Sequence, residues 1–329
     1  MSTEVNILTG VRPTGNLTIA NYLGAVKPLL ELQEKGEKPF LFVADLHAIT
    51  DYEPHEVKKY IKELVADYLA LGINPEKTTI YVQSAIKAEV MTLSIYLARL
   101  TTVAELLRVP TIKDKIKKGQ KPESANALLF FYPVLMASDI LIQKSKKIPV
   151  GEDQVAHLEV AKMLAERFNK KYGNFFTLPK VHQVKSLRIL SLKGDSKMSK
   201  SLPEGAIFLT DTPAEAEKKL NKAQTAMDKQ MTPSLESLVL IAKGLNSTEA
   251  EQKQIDEIIV QHKSGQQVMG QFKKLVIAIV KRFLQDFQAK RAEIVKNKKN
   301  IDSILENGAK VAIENARATL FEVEKHLYR

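Results

Sequence analysis

Five residues, Lys197-Met198-Ser199-Lys200-Ser201, place two ammonium groups and two hydroxyls in one short piece of chain. That cluster donates hydrogen bonds and positive charge, which is what a polyphosphate accepts. A second segment, Gly10-Val-Arg12-Pro13-Thr14-Gly15, makes a tight turn just ahead of a helix that begins near Thr18. A helix N-terminus has free backbone N–H groups and a positive dipole end, so it suits an anion. Asp139 stands among Leu135, Met136, Ile140 and Leu141. A carboxylate there either lies on a solvent face or is buried with a partner, because an unpaired buried charge is costly. Gly151-Glu152-Asp153-Gln154 follows the run Ile148-Pro-Val150. Acid and amide groups after a strand suit the hydroxyls of a ribose, or equally the start of the next helix. Residues 111–122 carry Lys113, Lys115, Lys117, Lys118 and Lys121. They read as a loop near the ligand edge of a sheet or as a solvated charge run.

The elements around these groups alternate through the first half of the chain. Residues 5–9 predict a strand ending at Gly10, 39–44 a buried parallel strand, 78–82 a third strand and 147–150 a fourth. Between them, Ile19, Tyr22, Leu23, Val26, Leu29 and Leu30 fall at helical spacing over 18–34. Pro54 suits the first turn of a helix reaching about 71. Residues 124–143 predict a helix interrupted at Pro133, and 154–170 one with Val155, Leu158, Ala161, Leu164, Ala165 and Phe168 on one face. Strand signals end near 205–215. Thr212 and Pro213 suit a helix start, and long helices follow over 266–296 and 301–327. The expected fold is α/β: a Rossmann-like, doubly wound parallel sheet in residues 1–210, then an all-helical domain in 211–329.

The 329 residues are 44% hydrophobic and 26% charged, as in an ordinary globular protein. There is no cysteine, which excludes disulfides, thiolate zinc sites and a cysteine nucleophile. A reducing, cytoplasmic setting is the expectation. No apolar run reaches the length of a membrane span. Met1-Ser-Thr-Glu-Val-Asn has no basic or apolar signal region, so no secretory signal is expected. The net charge is +11, and residues 262–329 hold 14 Lys/Arg against 7 Asp/Glu, hence +7 of it. A basic helical tail fits a nucleic-acid backbone, although many such surfaces only face water.

The wording of the motifs adds a resemblance. Arg12-Pro-Thr-Gly-Asn-Leu-Thr18-Ile-Ala20-Asn21-Tyr-Leu-Gly-Ala, together with Lys197 to Ser201, resembles the class I aminoacyl-tRNA synthetases. Tyr132-Pro-Val-Leu-Met136-Ala-Ser-Asp139 and Gly151-Glu-Asp-Gln154, followed by His157-Leu-Glu, resemble the bacterial tryptophanyl-tRNA synthetases in particular.

The resemblance implies ATP as a substrate with Mg2+, tryptophan and tRNA(Trp) as partners, and a homodimer with no membrane association. It implies that Thr18 and Asn21 bind ATP phosphates, and that Arg12, Pro13, Thr14 and Ala20 line the ATP cleft. Gly151, Glu152, Asp153 and Gln154 would meet the ribose, and Ile189 the adenine. Lys197, Met198, Ser199, Lys200 and Ser201 would hold the pyrophosphate, aided by Lys115. Asp139 would accept the indole N–H. Leu8, His47, Tyr132, Met136, Ile148, Val150 and Gln154 would surround tryptophan. No protein metal site is implied. The chain departs from the family at Ala20, where glycine is usual, at Leu8, where an aromatic is frequent, and at Thr111, where glutamine often touches the amino acid. The rival readings are a tyrosyl-tRNA synthetase, a non-catalytic paralogue that binds tryptophan or RNA, and a small-molecule nucleotidyltransferase with the same ATP motifs.

Overall fold

The computed structural model describes residues 5–110, 112, 125–150, 155–183, 187–194, 196–226, 228–245 and 248–328. Lys115, Thr111 and Gly151 to Gln154 lie outside these residues, and of Val150 only the backbone is described. The parallel strands are β1 (Leu8–Val11), β2 (Phe40–Val43) and β3 (Thr79–Val82), with β4 (Lys147–Val150) and β5 (Lys180–Gln183). They pair as β1-β2-β3 and β4-β5, and a parallel bridge from Ile7 to Lys147 joins the two sets. The spatial order is therefore 3-2-1-4-5, the doubly wound arrangement.

Alternate strand residues face opposite sides of the sheet. Leu41, Val43 and Ile80 enter one hydrophobic core, and Leu8, Phe42 and Tyr81 enter the other. On the first side lie the short helix α1 (Ile19–Asn21), a π-helical turn (Tyr22–Val26), α2 (Lys27–Glu34) and α4 (Pro54–Ala70). The helix α3 (Asp45–Ala48) follows β2 directly. On the other side lie α5 (Lys87–Ala98), α6 (Val103–Leu106), α7 (Ala127–Ile142) and α8 (Val155–Tyr172).

The helices α9 (Pro213–Asn221), α10 (Pro233–Gly244), α11 (Glu249–Lys263), α12 (Met269–Lys296) and α13 (Lys298–Leu327) complete the chain. Their apolar residues do not form a separate core. Leu235, Phe272 and Phe283 join the first sheet core, while Ala312, Ala316 and Val323 of α13 join the second. The contact of α13 with β3 is so close that a Cβ on Gly308 would lie 1.9 Å from the Ile80 carbonyl oxygen. This helix covers the edge strand, a position that would otherwise invite pairing with another chain.

Three expectations need correction. The first strand sits later than predicted, because its two ends serve different neighbours. The Val5 and Asn6 carbonyls accept from the Lys146 and Lys147 N–H groups, and Leu8 to Val11 pair with β2. The predicted interruption at Pro133 is absent, and α7 is continuous through it. Proline in a helix interior costs roughly 3 kcal/mol. The extensive burial of α7, with its polar Ser138 and Asp139 hydrogen-bonded, offsets that cost. β5 was not expected. Lys-Val-His-Gln has one strongly apolar residue, and only pairing with β4 makes it a strand.

Candidate active site

A cavity of about 520 Å³ opens at the carboxyl ends of β1, β2 and β4. This is where the strand order reverses on either side of β1, the usual ligand position in such a sheet. Gly10 and Val11 end β1 at its wall, and Ala44 and Pro149 stand at the ends of β2 and β4. Gly10 admits no side chain, since a Cβ would lie 2.4 Å from the Phe42 ring. The apolar part of the wall is Leu8, Phe42, Tyr132, Met136, Ile140 and Ile148. The Tyr132 ring meets the His157 ring edge-on at 5.4 Å and the His47 ring at 6.4 Å. The polar mouth holds Arg12, Thr14, Asn21, Thr50 and Lys200.

The Lys197–Ser201 segment and the turn before Thr18 are physically joined. Ile19 N–H donates to the Ile207 carbonyl and Leu209 N–H to that of Leu17, each at 2.9 Å. The chain after Ser201 thereby forms an antiparallel bridge with the turn before α1. Across that bridge the Lys200 ammonium donates to the carbonyls of Gly15 at 2.9 Å and Thr14 at 3.4 Å. Burial pulls the Lys200 amine down to about 8, against the attraction of the Asp67 carboxylate. A half-buried cation held, among the described residues, by carbonyl oxygens alone is ready to exchange them for phosphate oxygens.

Arg12 donates to Asp51 at 2.5 Å. The Arg12 Nε and the Thr50 Oγ1 are buried and have no hydrogen-bond partner among the described residues. Both line the mouth, so a ligand with acceptor oxygens would satisfy them.

Thr18 and Asn21 bond to each other. The Thr18 N–H and hydroxyl donate to Asn21 Oδ1 at 2.9 and 3.0 Å, and Asn21 N–H returns a bond to Thr18 Oγ1. This is a reciprocal helix cap. It leaves Asn21 on the cavity wall and Thr18 1% exposed behind it.

Asp139 is not on a solvent face. It is 1% exposed, one turn beyond Met136 of the cavity wall, and reaches that wall only through its partner His47, not by lining it itself. Gln83 Nε2 donates to both its oxygens, at 2.9 and 2.8 Å, and His47 Nε2 lies 2.9 Å from Oδ2. Burial raises the Asp139 carboxyl pKa, while the hydrogen bond and charge of His47 and the bond from Gln83 lower it.

Other expected residues do not reach the wall. Ile189 is fully buried and Met198 nearly so, both in the first core. Ala20 packs against that core, Pro13 is buried within its turn, and Lys197 and Ser201 are exposed. Ser199 and Ser201 bond to each other at 2.8 Å. Ile189 and Met198 are there because they zip a hairpin: Met198 N–H donates to the Ile189 carbonyl, and Lys197 bridges Leu190. Gly194, at φ 78°, makes its turn. Gln83, Thr50 and Tyr68 have no place among the residues expected from the sequence. Gln83 directly follows β3, and the rule that ligands gather at strand carboxyl ends points to it. Nothing local marks Thr50 or Tyr68.

The chain matches the family model described as tRNA synthetases class I (W and Y) over residues 1–285. It is 36% identical to the tryptophan–tRNA ligase of Porphyromonas gingivalis over 327 residues, covering 96% of this chain and 97% of the relative. The chain belongs to this synthetase family. Membership extends to its tryptophan–tRNA ligase branch, since the Bacillus subtilis tryptophan–tRNA ligase is also 36% identical, with 97% and 96% covered. The tryptophanyl-tRNA synthetase of Campylobacter jejuni, solved with ADP and tryptophan, superimposes with a TM-score of 0.83 at 31% identity, covering 98% and 100%. That of Mycoplasma pneumoniae gives 0.86 at 30% identity, covering 100% and 98%. As a synthetase of this family the chain is an enzyme, a tryptophan–tRNA ligase with a Rossmann-like sheet and a helical part.

Proposed function

We propose that the cavity activates tryptophan with ATP and that each polar group at its mouth has a part in that step. The carboxylate oxygen of tryptophan attacks the α-phosphorus of ATP. The bond to the bridging oxygen breaks, and pyrophosphate leaves with its electron pair. A ribose hydroxyl at the tRNA 3′ end then attacks the aminoacyl carbonyl, and AMP departs. The substrate supplies the nucleophile, so the protein acts by positioning and charge stabilisation. Lys200 supports this reading most directly, as a cation at the mouth of an apolar cavity that, among the described residues, hydrogen-bonds turn carbonyls alone.

In this reading Lys200 takes the leaving pyrophosphate, with Lys197 and Lys115 beside it. Arg12, Thr14, Thr50 and Asn21 bind the triphosphate, and Thr18 holds Asn21. Gly151 to Gln154 meet the ribose, with Ile189 and Met198 supporting the adenine side from behind. Mg2+ would arrive on the phosphates, in keeping with its preference for substrate oxygens and water. Tryptophan lies against Leu8, Tyr132, Met136, Ile148 and Val150, with its N–H toward Asp139. A carboxylate has about four acceptor positions, so Asp139 can take this bond beside those of Gln83 and His47.

The helices from 211 on, with their basic tail, contact the anticodon stem of tRNA(Trp). The chain works as a cytoplasmic homodimer. Supporting the dimer, α5 buries Val90, Leu93 and Leu97 yet leaves Met91 38% and Ile95 65% exposed. A helix apolar on all sides is ordinarily covered on all sides.

Pyrophosphate exchange into ATP tests the assignment. Tryptophan should support exchange and tyrosine should not; the reverse overturns it. The chain contains no tryptophan, so indole fluorescence reads binding directly. Asp139→Asn and Asp139→Ala should abolish or greatly weaken that binding, and unchanged binding in both would remove Asp139 from the role.

A further inference from the structure

Gln83 is fully buried at the first residue after β3 and takes no part in the cavity wall. Both ends of its amide are engaged. Its nitrogen donates to the two oxygens of Asp139, at 2.9 and 2.8 Å, and its oxygen accepts the His47 N–H at 3.4 Å. His47 closes the triangle through Nε2, 2.9 Å from Asp139 Oδ2. Asp139 Oδ1 has no other hydrogen bond than that of Gln83 among the described residues. Gln83 is therefore the group that holds Oδ1, while Oδ2 is shared with His47. Without it, Asp139 can turn about its bond to His47, or take up a proton, since burial already favours the neutral acid.

An amide suits this position for a physical reason. It donates to a carboxylate without bringing a charge, so it leaves Asp139 anionic and still able to accept. A lysine or arginine would neutralise the acid, and a carboxylate would repel it.

We propose that Gln83 is a positioning residue for amino-acid selection: it fixes the plane of the Asp139 carboxylate so that a free acceptor position faces the indole N–H. This rests on the reading that Asp139 receives that N–H. Gln83 acts through Asp139 and touches no substrate. Its loss should therefore weaken discrimination for the N–H and leave ATP recognition in place. A site whose buried acceptor is correctly aimed rejects an analogue lacking the donor. Once the acceptor is misaimed, that preference shrinks.

The probe is benzothienylalanine, in which sulfur replaces the indole N–H, compared with tryptophan in pyrophosphate exchange. The wild-type chain should favour tryptophan strongly in kcat/KM. Gln83→Met, of similar size and lacking the donor, should reduce that preference about tenfold or more, as expected for a hydrogen bond to a charged group. The KM for tryptophan should rise while the KM for ATP holds. Gln83→Glu has the same shape, so it serves if the methionine variant fails to fold, and its preference should be lower still. Asp139→Asn is measured alongside. If Asp139→Asn keeps the wild-type preference, the Asp139 reading is wrong and the inference falls with it. If Asp139→Asn loses the preference and both Gln83 variants retain it, the Gln83 proposal alone is overturned. It is also overturned if both analogues and ATP weaken equally, because that is the result of a merely structural role.

Discussion

Lys200 is the residue whose chemistry the structure changes most. Read as sequence, it is one of two equivalent lysines in a polar loop. In the fold it is half-buried against the Thr14 and Gly15 carbonyls, and Lys197 is exposed. Burial gives Lys200 an amine that loses its proton near pH 8, where an ordinary lysine loses it near 10.5. The sign of the consequence follows. The amine is cationic below about 8, and the charge available to phosphate falls as the pH rises through that value. We expect kcat/KM for ATP to decline above about pH 8. Lys200→Arg keeps its charge throughout and should lack that decline. A profile unchanged by this substitution would assign the alkaline limb to another group. At Lys200→Ala, adenylate formation should slow far more than tryptophan binding weakens. Stopped-flow and fluorescence titration separate the two, and equal loss of both would contradict a leaving-group role.

At the scale of elements, the alternation of Leu41, Phe42 and Val43 was legible as a buried strand, and Thr212-Pro213 as a helix start. Thr212 indeed forms a reciprocal cap with Glu215. Such signals are local, carried by periodicity and by side chains a few residues apart. β5 and the unbroken course of α7 were not legible, because each depends on a neighbour distant in sequence. The docking of α13 is the extreme case. Gly308 reads as a weak point in a helix, yet it is what lets that helix meet the β3 backbone. Gly308→Ala would strengthen an isolated helix. Here it should destabilise the protein by about 1–3 kcal/mol through overpacking, read as a lower denaturant midpoint. A midpoint equal to or above that of the wild type would show that the close approach is absent in solution.

For the whole molecule, the apparent division between sheet and helices is bridged at several points. Arg291 of α12 donates to the buried Asp67 of α4 at 2.5 Å and also pairs with Glu63. The Tyr22 ring of the π-helical turn packs on Phe283, with centroids 4.9 Å apart. The segment that follows the turn at the cavity mouth is thus seated on the helical part. Among the described residues no helix is long and apolar enough to cross a membrane. The exposed Ile95 supports a face for a second copy. Ile95→Lys should shift the mass measured by light scattering from about twice 36.8 kDa toward 36.8 kDa. A wild-type chain already at the lower mass would refute the dimer, and a dimer indifferent to Ile95→Lys would place its interface elsewhere.

The chemistry of this protein was largely determined by residue order alone. The lysine–serine cluster and the turn before Thr18 suggest a phosphate site because each packs its groups into a few adjacent residues, and with the helix carrying Asp139 they bear the family resemblance that implies the reaction and the amino acid. Which of those groups meet is set by the packing of segments remote in sequence. The fold separates Lys200 from Lys197, buries Asp139 behind the cavity wall against His47, and brings Gln83 onto it from 56 residues away. Burial and distance between remote segments have no local signature, and the direction in which Lys200 and Asp139 titrate depends on burial.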